Sequence, residues 1–295
     1  MRVLVTGGSG RLGQAVAADL LANGYDVVSI DRRLPPTRER SIRHVAGELD
    51  DVGQVAGALA GCDGVIHLGA IPHPYGTADE VVFRNNSLAT FAVLQAASLL
   101  GVGRAVIASS ISALGTAYAP EQVLPLYAPV DEAHPLLSAD PYALSKEVDE
   151  RTAAMFNRRT GMSVAALRFS WIARLEDAVA AAGGHRENRA ANVRILWSYV
   201  EIRDAARACR LALEAPGLGF EAFNVTADDT LSDVPTEELL RRYAPEVDIR
   251  ERIEGTSSGF SIEKARRLLG YEPQYTWRAA GSLAVEEAAP RAVPD

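Results

Sequence analysis

A glycine-rich segment near the start of the chain constrains the fold more than any other part of the sequence. TGGSGRLG at 6–13 stands between an apolar run at 3–6 and a helical pattern in which Leu12, Val16 and Leu20 recur every fourth residue. Glycines here allow a tight turn and let backbone N–H groups approach a diphosphate at a helix N-terminus. The order of strand, turn and helix therefore predicts the first βαβ unit of a dinucleotide-binding sheet.

Short β-rich runs alternate with longer helical patterns through the first two-thirds of the chain, as in parallel sheets covered by helices. The predicted strands there are 3–6, 26–30, 43–45, 64–68, 105–109 and 163–168. Helices are predicted after the first strand, at 87–100, and from the N-cap pair Asp140-Pro141 to Gly161. The last of these carries Lys146/Glu150 and Glu147/Arg151 pairs one turn apart.

The pattern is looser after residue 168. A small, flexible segment is predicted at 178–184, a strand over LWSYV at 196–200, a helix at 202–214 and a strand at 222–225. Helices at 232–243 and 261–269 follow, and the terminal residues 288–295 are expected to fray. The predicted fold class is α/β, a Rossmann-type doubly wound parallel sheet with a small, mostly C-terminal substrate-binding domain. Its dinucleotide-binding domain takes 1–168 and 199–226, and the substrate-binding domain takes 169–198 and 227–295.

Charge and composition exclude several classes of protein. The chain has 30 basic and 38 acidic residues, a net charge of -8, and no basic cluster, so nucleic acid is not an expected partner. Its longest uncharged window, 85–103, is interrupted by polar residues, so no membrane partner is expected. The two cysteines, Cys62 and Cys209, form no paired motif. We therefore expect a reduced cytoplasmic protein without a metal site.

Asp31 ends the second predicted strand, near the spacing expected for an acid that binds a ribose. A carboxylate accepts hydrogen bonds from both ribose hydroxyls and repels a 2′-phosphate, which favours NAD over NADP. Arg11, Arg32 and Arg33 leave NADP open, because they would neutralise such a phosphate. The residues after the third strand, Glu48-Leu49, are placed to contact the adenine.

A tyrosine and a lysine lie one turn apart in the predicted helix that starts at Asp140. Of nine tyrosines, Tyr142 is the one with a lysine four residues later, Lys146. The neighbouring ammonium and a positive nicotinamide would favour the phenolate, so Tyr142 would serve as general base or acid. Ser110 follows a central strand, at the edge of the sheet where ligands bind, and its hydroxyl would hold the substrate oxygen. The structural alternative is that Tyr142 packs on the sheet and Lys146 pairs with Glu150 at the surface.

These motifs, taken in order, resemble the extended short-chain dehydrogenase/reductase family, the NAD-dependent epimerases and dehydratases. The resembling stretches include TGGSGRLG at 6–13, VIHLGA at 65–70, NNSLATFAVLQAA at 85–97, VIASSISALG at 106–115, DPYALSK at 140–146 and YVEIRDAARA at 199–208. The resemblance implies a catalytic triad of Ser110, Tyr142 and Lys146, with Asn86 in a helix-stabilising or relay position, and Lys146 on the nicotinamide ribose. The expected cofactor contacts are Gly7, Gly10, Arg11, Leu12, Gly13, Asp31, Arg32, Glu48, Leu49, Leu68, Gly69, Ala70, Tyr142 and Lys146.

The segment from 170 to 200 departs from the family members that act on nucleotide sugars. It has neither the Tyr-Gly-Pro turn nor the Gly-Asp-Gly type of loop, and it is short. The run Arg-x-Leu-Trp-Ser at 194–198 resembles the shortened region of uronate dehydrogenases, where an arginine binds the substrate carboxylate. Arg194 is therefore a predicted substrate-binding residue, with Arg186 and Arg189 as alternatives. His73, Ser110 and Ser112 complete the predicted substrate contacts.

Three functions remain open at this point. In the first, a dehydrogenase or reductase, Tyr142 takes a proton from a hydroxyl of a sugar, sugar acid or similar small polar substrate while hydride passes to NAD. In the second, an epimerase or dehydratase, the cofactor stays bound and is not consumed. The third is a catalytically silent nucleotide-sensing protein. The helices at 85–103 and 141–160 would form the dimer seam that is usual in the family, so we expect a homodimer.

Overall fold

The main sheet of the computed structural model, which describes residues 1–190 and 192–279, has seven parallel strands. The described residues form eleven strands, of which these seven belong to the main sheet. In chain order all eleven are β1 Arg2–Thr6, β2 Asp26–Asp31, β3 Ile42–Ala46, β4 Gly64–His67, β5 Arg104–Ser110, β6 Tyr127–Ala128, β7 Ser163–Phe169, β8 Trp171–Ala173, β9 Tyr199–Glu201, β10 Phe220–Val225 and β11 Asp248–Ile249. The spatial order is β10-β7-β5-β4-β1-β2-β3, so the direction of winding reverses between β1 and β4. Ligands of open α/β sheets bind at such a reversal.

Helices cover both faces of this sheet. They are α1 Arg11–Ala22, α2 Val52–Leu59, α3 Asp79–Leu99, α4 Pro141–Thr160, α5 Leu175–Glu187, α6 Ile202–Glu214, α7 Thr236–Tyr243 and α8 Glu263–Leu269. One core joins α1, α6 and α8 to the sheet, and a second core on the opposite face joins α2, α3 and α4 to it. The predicted doubly wound Rossmann-type fold is confirmed. The domain boundaries stay a prediction.

The ends of α4 follow the local signals in the sequence. The Asp140 carboxylate accepts a hydrogen bond from the Ala143 N–H at 2.9 Å, and Pro141 occupies the first turn, where its missing N–H costs nothing. Gly161 ends the helix with a positive φ of 77°, which a residue without a Cβ adopts freely. This helix carries Tyr142 and Lys146, so local chemistry fixes where both side chains start.

Two predictions between 175 and 200 are wrong. Residues 178–184 are not a flexible segment but lie within α5, because Ala178 and Ala182 pack into a small core with Tyr199, Leu231 and Trp277. LWSYV is not one strand: Leu196 and Trp197 have positive φ values of 50° and 54°, and β9 starts only at Tyr199. Packing of Trp197 into another core overrides the local strand pattern.

Several element ends also differ from prediction. The helix predicted at 87–100 begins earlier, at Asp79, while the helix predicted at 232–243 begins only at Thr236, directly after Pro235. The helix predicted at 261–269 begins at Glu263. The terminal residues 288–295 lie outside the described residues.

Two parallel pairs of very short strands, β6 with β11 and β8 with β9, lie outside the main sheet. A third core accompanies them, drawn from the segments around residues 111–130, 193–197 and 239–260. It lies beyond the carboxyl end of β5, which ends at Ser110. Within residues 1–190 and 192–279 no helix combines the length and apolar character that crossing a membrane requires.

Candidate active site

The turn between β1 and α1 is shaped by its glycines. Gly7 has a φ of +66°, and a Cβ there would lie 2.7 Å from the Gly69 nitrogen, so this turn is pressed against the end of β4. A Cβ on Gly13 would collide with the Gly7 carbonyl oxygen. Gly10, which caps α1, brings no side chain over the first helical N–H groups. The turn therefore leaves a helix N-terminus open to an anion, as a diphosphate requires.

A pocket beside this turn contains the residues predicted for the adenosine end of a dinucleotide. Its lining includes Gly7, Gly10, Asp31, Arg32, Glu48, Leu49, Leu68, Gly69 and Ala70. Asp50, Val81, Arg84, Asn85 and Ala89 also line it and were not predicted. Asp50 lies between β3 and α2, and the other four residues lie on α3.

The carboxylate of Asp31 is held by backbone donors at the end of β2. Oδ2 accepts from the Ser9 N–H at 3.1 Å and Oδ1 from the Arg33 N–H at 3.4 Å. Each carboxylate oxygen keeps lone pairs for a further donor. Asp31 is thus oriented toward the pocket and able to accept hydrogen bonds from a ribose. The glycine turn and this carboxylate together fit NAD.

A second, larger cleft of about 770 Å³ continues from the same turn over the carboxyl ends of β4 and β5. That volume is within the range of small-molecule sites. The predicted residues that line it are Gly7, Gly10, Arg11, Leu12, Gly13, Leu68, Ala70, His73, Ser110, Ser112, Tyr142 and Lys146. The structure therefore brings the predicted diphosphate turn and the predicted Ser-Tyr-Lys set to one cleft.

Tyr142 is buried, with 7% of its surface exposed. Burial raises the pKa of Tyr142 to about 12, the charges of Asp149 and Asp140 raise it further, and contact with the Ser110 hydroxyl lowers it. The sequence-based expectation that Lys146 makes this phenol more acidic is not met by the protein alone. Desolvation of the phenolate is the largest cause of this shift, and the buried carboxylate of Asp149 adds to it.

Lys146 is buried as well, and its Nζ donates to the Ala108 carbonyl at 2.8 Å and to Asp149 Oδ2 at 3.3 Å. Nζ lies 5.8 Å from the centre of the Tyr142 ring. The proposed surface pair of Lys146 with Glu150 is wrong. Glu150 instead accepts two hydrogen bonds of 2.8 Å from Arg168, and its partner on β5 is Ser109.

Ser110 ends β5 and Ser112 follows in a short 3₁₀ turn, Ile111–Leu114. The Ser110 hydroxyl donates to Ser112 Oγ at 3.1 Å and accepts from the Ser112 N–H at 3.1 Å. Both hydroxyls face the cleft that Tyr142 lines. They can hold an oxygen of a bound substrate near the phenol.

Asn86 is buried on α3 and joins two parts of the site. Its Oδ1 accepts from the Ile71 N–H at 2.8 Å, and its Nδ2 donates to the Ile71 carbonyl and to Ser145 Oγ, each at 3.1 Å. These contacts connect the loop after β4 to α4, which is the helix that carries Tyr142. A catalytic role for Asn86 stays a prediction.

Arg194 does not line the cleft. Its guanidinium donates to the Ala119 carbonyl at 2.6 Å, because the turn at 192–197 directs Asn192 and Ile195 to the cleft instead. The alternatives Arg186 and Arg189 both pair with Asp233 at 3.2 Å. The described lining contains two arginines, Arg11, which was predicted, and Arg174. Arg174 follows β8 and was not predicted because that strand is too short to leave a pattern.

An aromatic wall was also missed. The Tyr118 ring packs edge-on against Tyr142 at 5.9 Å between centres, and Tyr75 packs edge-on against Tyr118 at 5.4 Å. Burial raises the pKa of Tyr118 to about 12, so this phenol stays neutral. Phe169, Trp171 and Ile172 also line the cleft. The sequence signal was the aromatic Tyr118 in the loop after Ser110, but no periodicity marked it.

Comparison with known proteins agrees with this geometry. A UDP-glucose 4-epimerase of Corynebacterium glutamicum is 26% identical over 94% of this chain and 92% of its own length. The crystal structure of a short-chain dehydrogenase/reductase superfamily protein of Agrobacterium tumefaciens with bound NAD is 26% identical, with a TM-score of 0.72 over 97% of this chain and 99% of that one.

A mutated uronate dehydrogenase shares the fold, with 22% identity and a TM-score of 0.68 over 100% of this chain and 89% of that one. The model of the NAD dependent epimerase/dehydratase family matches residues 3–226. This range includes the glycine turn that lines both pockets, together with Ser110, Tyr142 and Lys146. The chain is therefore a member of the NAD dependent epimerase/dehydratase family.

Proposed function

We propose that this protein is an NAD-dependent dehydrogenase or reductase that acts on a hydroxyl or carbonyl carbon of a sugar acid or a similar small anionic substrate. The observation that carries the proposal is the meeting of Ser110, Tyr142 and Lys146 in a cleft that continues into the glycine turn at β1. When bound, NAD accepts a hydride from the substrate carbon or returns it.

The chain's own residues supply binding and proton transfer. The N-terminus of α1 and Asp31 hold the diphosphate and the ribose of NAD. The Ser110 hydroxyl orients the substrate oxygen, and the Tyr142 phenol exchanges its proton with that oxygen. Lys146, fixed by the Ala108 carbonyl, stabilises the phenolate that forms. The roles of these residues are part of the proposal.

The charges of the cleft favour an anionic substrate. Arg11, Lys146 and Arg174 are the charged residues that line it, with His73 beside them, and its described lining contains no carboxylate. Their carboxylate partners, Asp177, Asp149 and Glu176, lie outside this lining at 3.4, 3.3 and 3.9 Å. This is the opposite of the whole chain, whose net charge is -8. Arg11 lies at the glycine turn and Lys146 is held by Asp149 and the Ala108 carbonyl, whereas the only carboxylate contact of Arg174 among the described residues is an exposed one of 3.9 Å with Glu176. Arg174 is therefore the cation we propose for a carboxylate at the substrate end. A guanidinium suits a carboxylate through two parallel hydrogen bonds.

A substrate screen tests the proposal. The purified protein is mixed with NAD and with neutral aldoses, uronic acids or nucleotide sugars, and the absorbance of released NADH is measured. We expect turnover of NAD with an acid substrate. Tyr142→Phe should lower kcat by about 10²-fold or more, the usual contribution of a positioned acid or base, without weakening NAD binding. Unchanged activity of Tyr142→Phe would contradict the proposed chemistry and favour the catalytically silent alternative for this cleft.

The substrate class has its own control. Arg174→Gln should raise KM for the acid substrate about tenfold or more, the loss expected for a carboxylate contact, and leave KM for NAD unchanged. Arg186→Gln, which removes the same charge from α5 outside the cleft, should change neither constant. If the two variants behave alike, Arg174 does not bind the substrate.

An epimerase is the second candidate, favoured by the full-length similarity to the UDP-glucose 4-epimerase of Corynebacterium glutamicum. An epimerase regenerates its NAD on the enzyme and retains it. Stoichiometric NAD on the purified protein, with a nucleotide sugar interconverted and no net NADH formed, would decide for the epimerase.

We also propose a homodimer built on α3 and α4. Leu88 and Phe91 lie one turn apart on α3 with 48% and 41% of their surface exposed, and Leu144 on the adjoining α4 is 43% exposed. Apolar side chains grouped on packed helices are typical of an interface. Light scattering should give twice the chain mass, and Phe91→Glu should halve it. The cytoplasmic location stays a prediction.

A further inference from the structure

A buried carboxylate, Asp149, lies behind the proposed active site. It follows Lys146 by three residues on α4, its side chain is 1% exposed, and its Oδ2 accepts from the Lys146 Nζ at 3.3 Å. Its Oδ1 has no hydrogen-bond partner of ordinary geometry within the described part of the chain. A buried charge with an unmet oxygen costs free energy, so stability alone does not account for it.

A second buried carboxylate shows the contrast. Asp204 likewise pairs with a cation on its own helix, Arg207, which follows it by three residues, at 3.4 Å. Its two oxygens additionally accept three hydrogen bonds of 2.9–3.0 Å from the N–H groups of Gln274 and Tyr275. Asp204 is therefore satisfied as a structural carboxylate would be, whereas no backbone N–H within the described residues donates to the Asp149 carboxylate.

We propose that Asp149 is a positioning residue that holds the Lys146 ammonium against β5 and offsets part of its charge at Tyr142, so that this carboxylate sets the pH range in which Tyr142 exchanges its proton. This inference rests on the proposed acid–base role of Tyr142. It concerns a residue that does not line the cleft and acts through Lys146.

A series of hydrogen bonds leads from the end of β1 to Thr90, which lies beside Asp149. Thr6 Oγ1 accepts from the N–H groups of Leu68 and Gly69, at 3.2 and 3.3 Å, so its own proton goes to His67 Nδ1 at 2.7 Å. Burial and Lys146 lower the pKa of His67 to about 3, so the ring is neutral. Because Nδ1 accepts the Thr6 proton, the ring proton is assigned to Nε2, which donates to Thr90 Oγ1 at 3.1 Å.

The hydroxyl proton of Thr90 is thereby left for an acceptor other than His67. The Thr90 hydroxyl is near enough to Asp149 to lower the pKa of that carboxyl. The donors in this series of hydrogen bonds thus point in one direction, away from the glycine turn and toward Asp149. Their dipoles favour the ionised carboxylate beside Lys146.

The groups that surround Asp149 and Tyr142 come from four elements. Lys146 and Glu150 lie on α4 itself, Thr90 on α3, His67 on β4, and Ser110, which contacts Tyr142, on β5. Burial raises the pKa of Asp149 to about 6, with Lys146 and Thr90 acting against it and Glu150 with it. Asp140 and Asp149 both raise the pKa of Tyr142. Removing the Asp149 charge must therefore make Tyr142 more acidic.

Asp149→Asn tests this inference, because the amide oxygen still accepts from Lys146 while the charge is lost. The midpoint of the rise in kcat with pH, in the direction in which Tyr142 accepts a proton, should move to lower pH by about half a unit to one unit, since a nearby charge shifts a pKa by this order. Asp149→Glu, which keeps the charge, should restore the midpoint. Asp149→Ser, uncharged and small, gives the same expected shift if the asparagine variant does not fold.

Glu147→Gln is the matched control. It removes one negative charge from the same helix, where the carboxylate bonds Arg151 and Ser138 instead of Lys146. Its midpoint should equal that of the wild type. A midpoint of Asp149→Asn that coincides with both would overturn the inference.

Two measurements that need no turnover complete the test. Ultraviolet titration of the protein without substrate, taken as the difference from the matching Tyr142→Phe variant, should show the phenol ionising at lower pH in Asp149→Asn. Calorimetry should give NAD dissociation constants within about threefold of each other for wild type and Asp149→Asn, and a weaker one for Asp149→Val, which leaves Lys146 without this partner. Full activity of Tyr142→Phe would refute the proposed function itself, whereas an inactive Tyr142→Phe with an unmoved Asp149→Asn refutes only the inference.

Discussion

At the scale of single residues, the cofactor preference depends on one carboxylate. Asp31 ends β2 and is held by the backbone N–H groups of Ser9 and Arg33, so it cannot turn away from the pocket without losing both bonds. Arg32 lines the same pocket. A 2′-phosphate bound at the ribose position would lie close to the Asp31 carboxylate, and like charges at close range repel.

Asp31→Ser should therefore lower the ratio of NAD to NADP affinity about tenfold or more, the effect of removing one close like charge. Calorimetric titration of each dinucleotide measures the two dissociation constants. Glu48→Gln removes a carboxylate from the same pocket that is not at the end of β2, and should leave the ratio unchanged. An equal ratio in wild type and Asp31→Ser would remove Asp31 from the ribose site.

The sequence predicted which residues meet in the cleft better than it predicted their charge states. Ser110, Tyr142 and Lys146 follow from strand ends and helix spacing, which are local. The pKa of Tyr142 depends on burial and on Asp149, which are properties of the packed protein. Arg174 was missed for a similar reason, because its approach to the cleft depends on β8 pairing with the distant β9.

At the scale of elements, α4 and α5 differ in what the sequence reveals. The Asp140 cap, Pro141 and Gly161 fix both ends of α4 locally. In α5, Gly183 and Gly184 argue against a helix, and the packing of Ala178 and Ala182 decides the matter. A local pattern cannot reveal a helix whose stability comes from a core contributed by later parts of the chain.

Substitution of two glycines tests whether 178–184 is helical. A Cβ on Gly183 or on Gly101 would meet nothing within 4 Å, but only Gly101 has a positive φ, +69°. Gly183→Ala should raise the free energy of unfolding by about 0.5–1 kcal/mol, because alanine loses less backbone entropy in a helix. Gly101→Ala should lower the free energy of unfolding. Urea denaturation measures both, and a neutral Gly183→Ala would indicate that the segment is not a stable helix.

At the scale of the whole molecule, alternating runs were sufficient to predict the parallel sheet, because each strand leaves its own apolar pattern. The small sheets were not predictable in this way. β6 pairs with β11 through Tyr127 and Asp248, which are far apart in the sequence, and each strand has only two residues. Such pairings are set by the third core around them, not by local preference.

The stability of the whole protein should fall in acid. Burial lowers the pKa of His67 to about 3 in the folded protein, whereas an unfolded histidine titrates near 6.5, so unfolding takes up a proton between these values. This contribution is complete above about pH 6.5 and is lost toward pH 3, by at most about 1.4 kcal/mol per pH unit. Burial also lowers the pKa of His134 and His185, which act in the same direction.

The comparison of His67→Asn with wild type isolates this residue. Asp149 acts in the opposite sense between about pH 4 and 6, because burial raises its pKa to about 6, and the difference between the two proteins cancels it. Urea midpoints measured from pH 7 to pH 4 should fall less steeply in His67→Asn. His73→Gln, which replaces an exposed histidine, should follow the wild type. Parallel curves for all three proteins would exclude His67 as the source of acid sensitivity.

The placement of the tryptophans makes one of them an intrinsic fluorescent reporter of the cleft. Of the chain's three tryptophans, Trp197 and Trp277 are buried in separate cores, whereas Trp171 lies on the cleft wall with 38% of its surface exposed. Quenching by iodide should therefore affect mainly the emission of Trp171, and a molecule that occupies the substrate end should shield it. Fluorescence can thus rank unknown metabolites by occupancy of the cleft, including those that are bound but never oxidised.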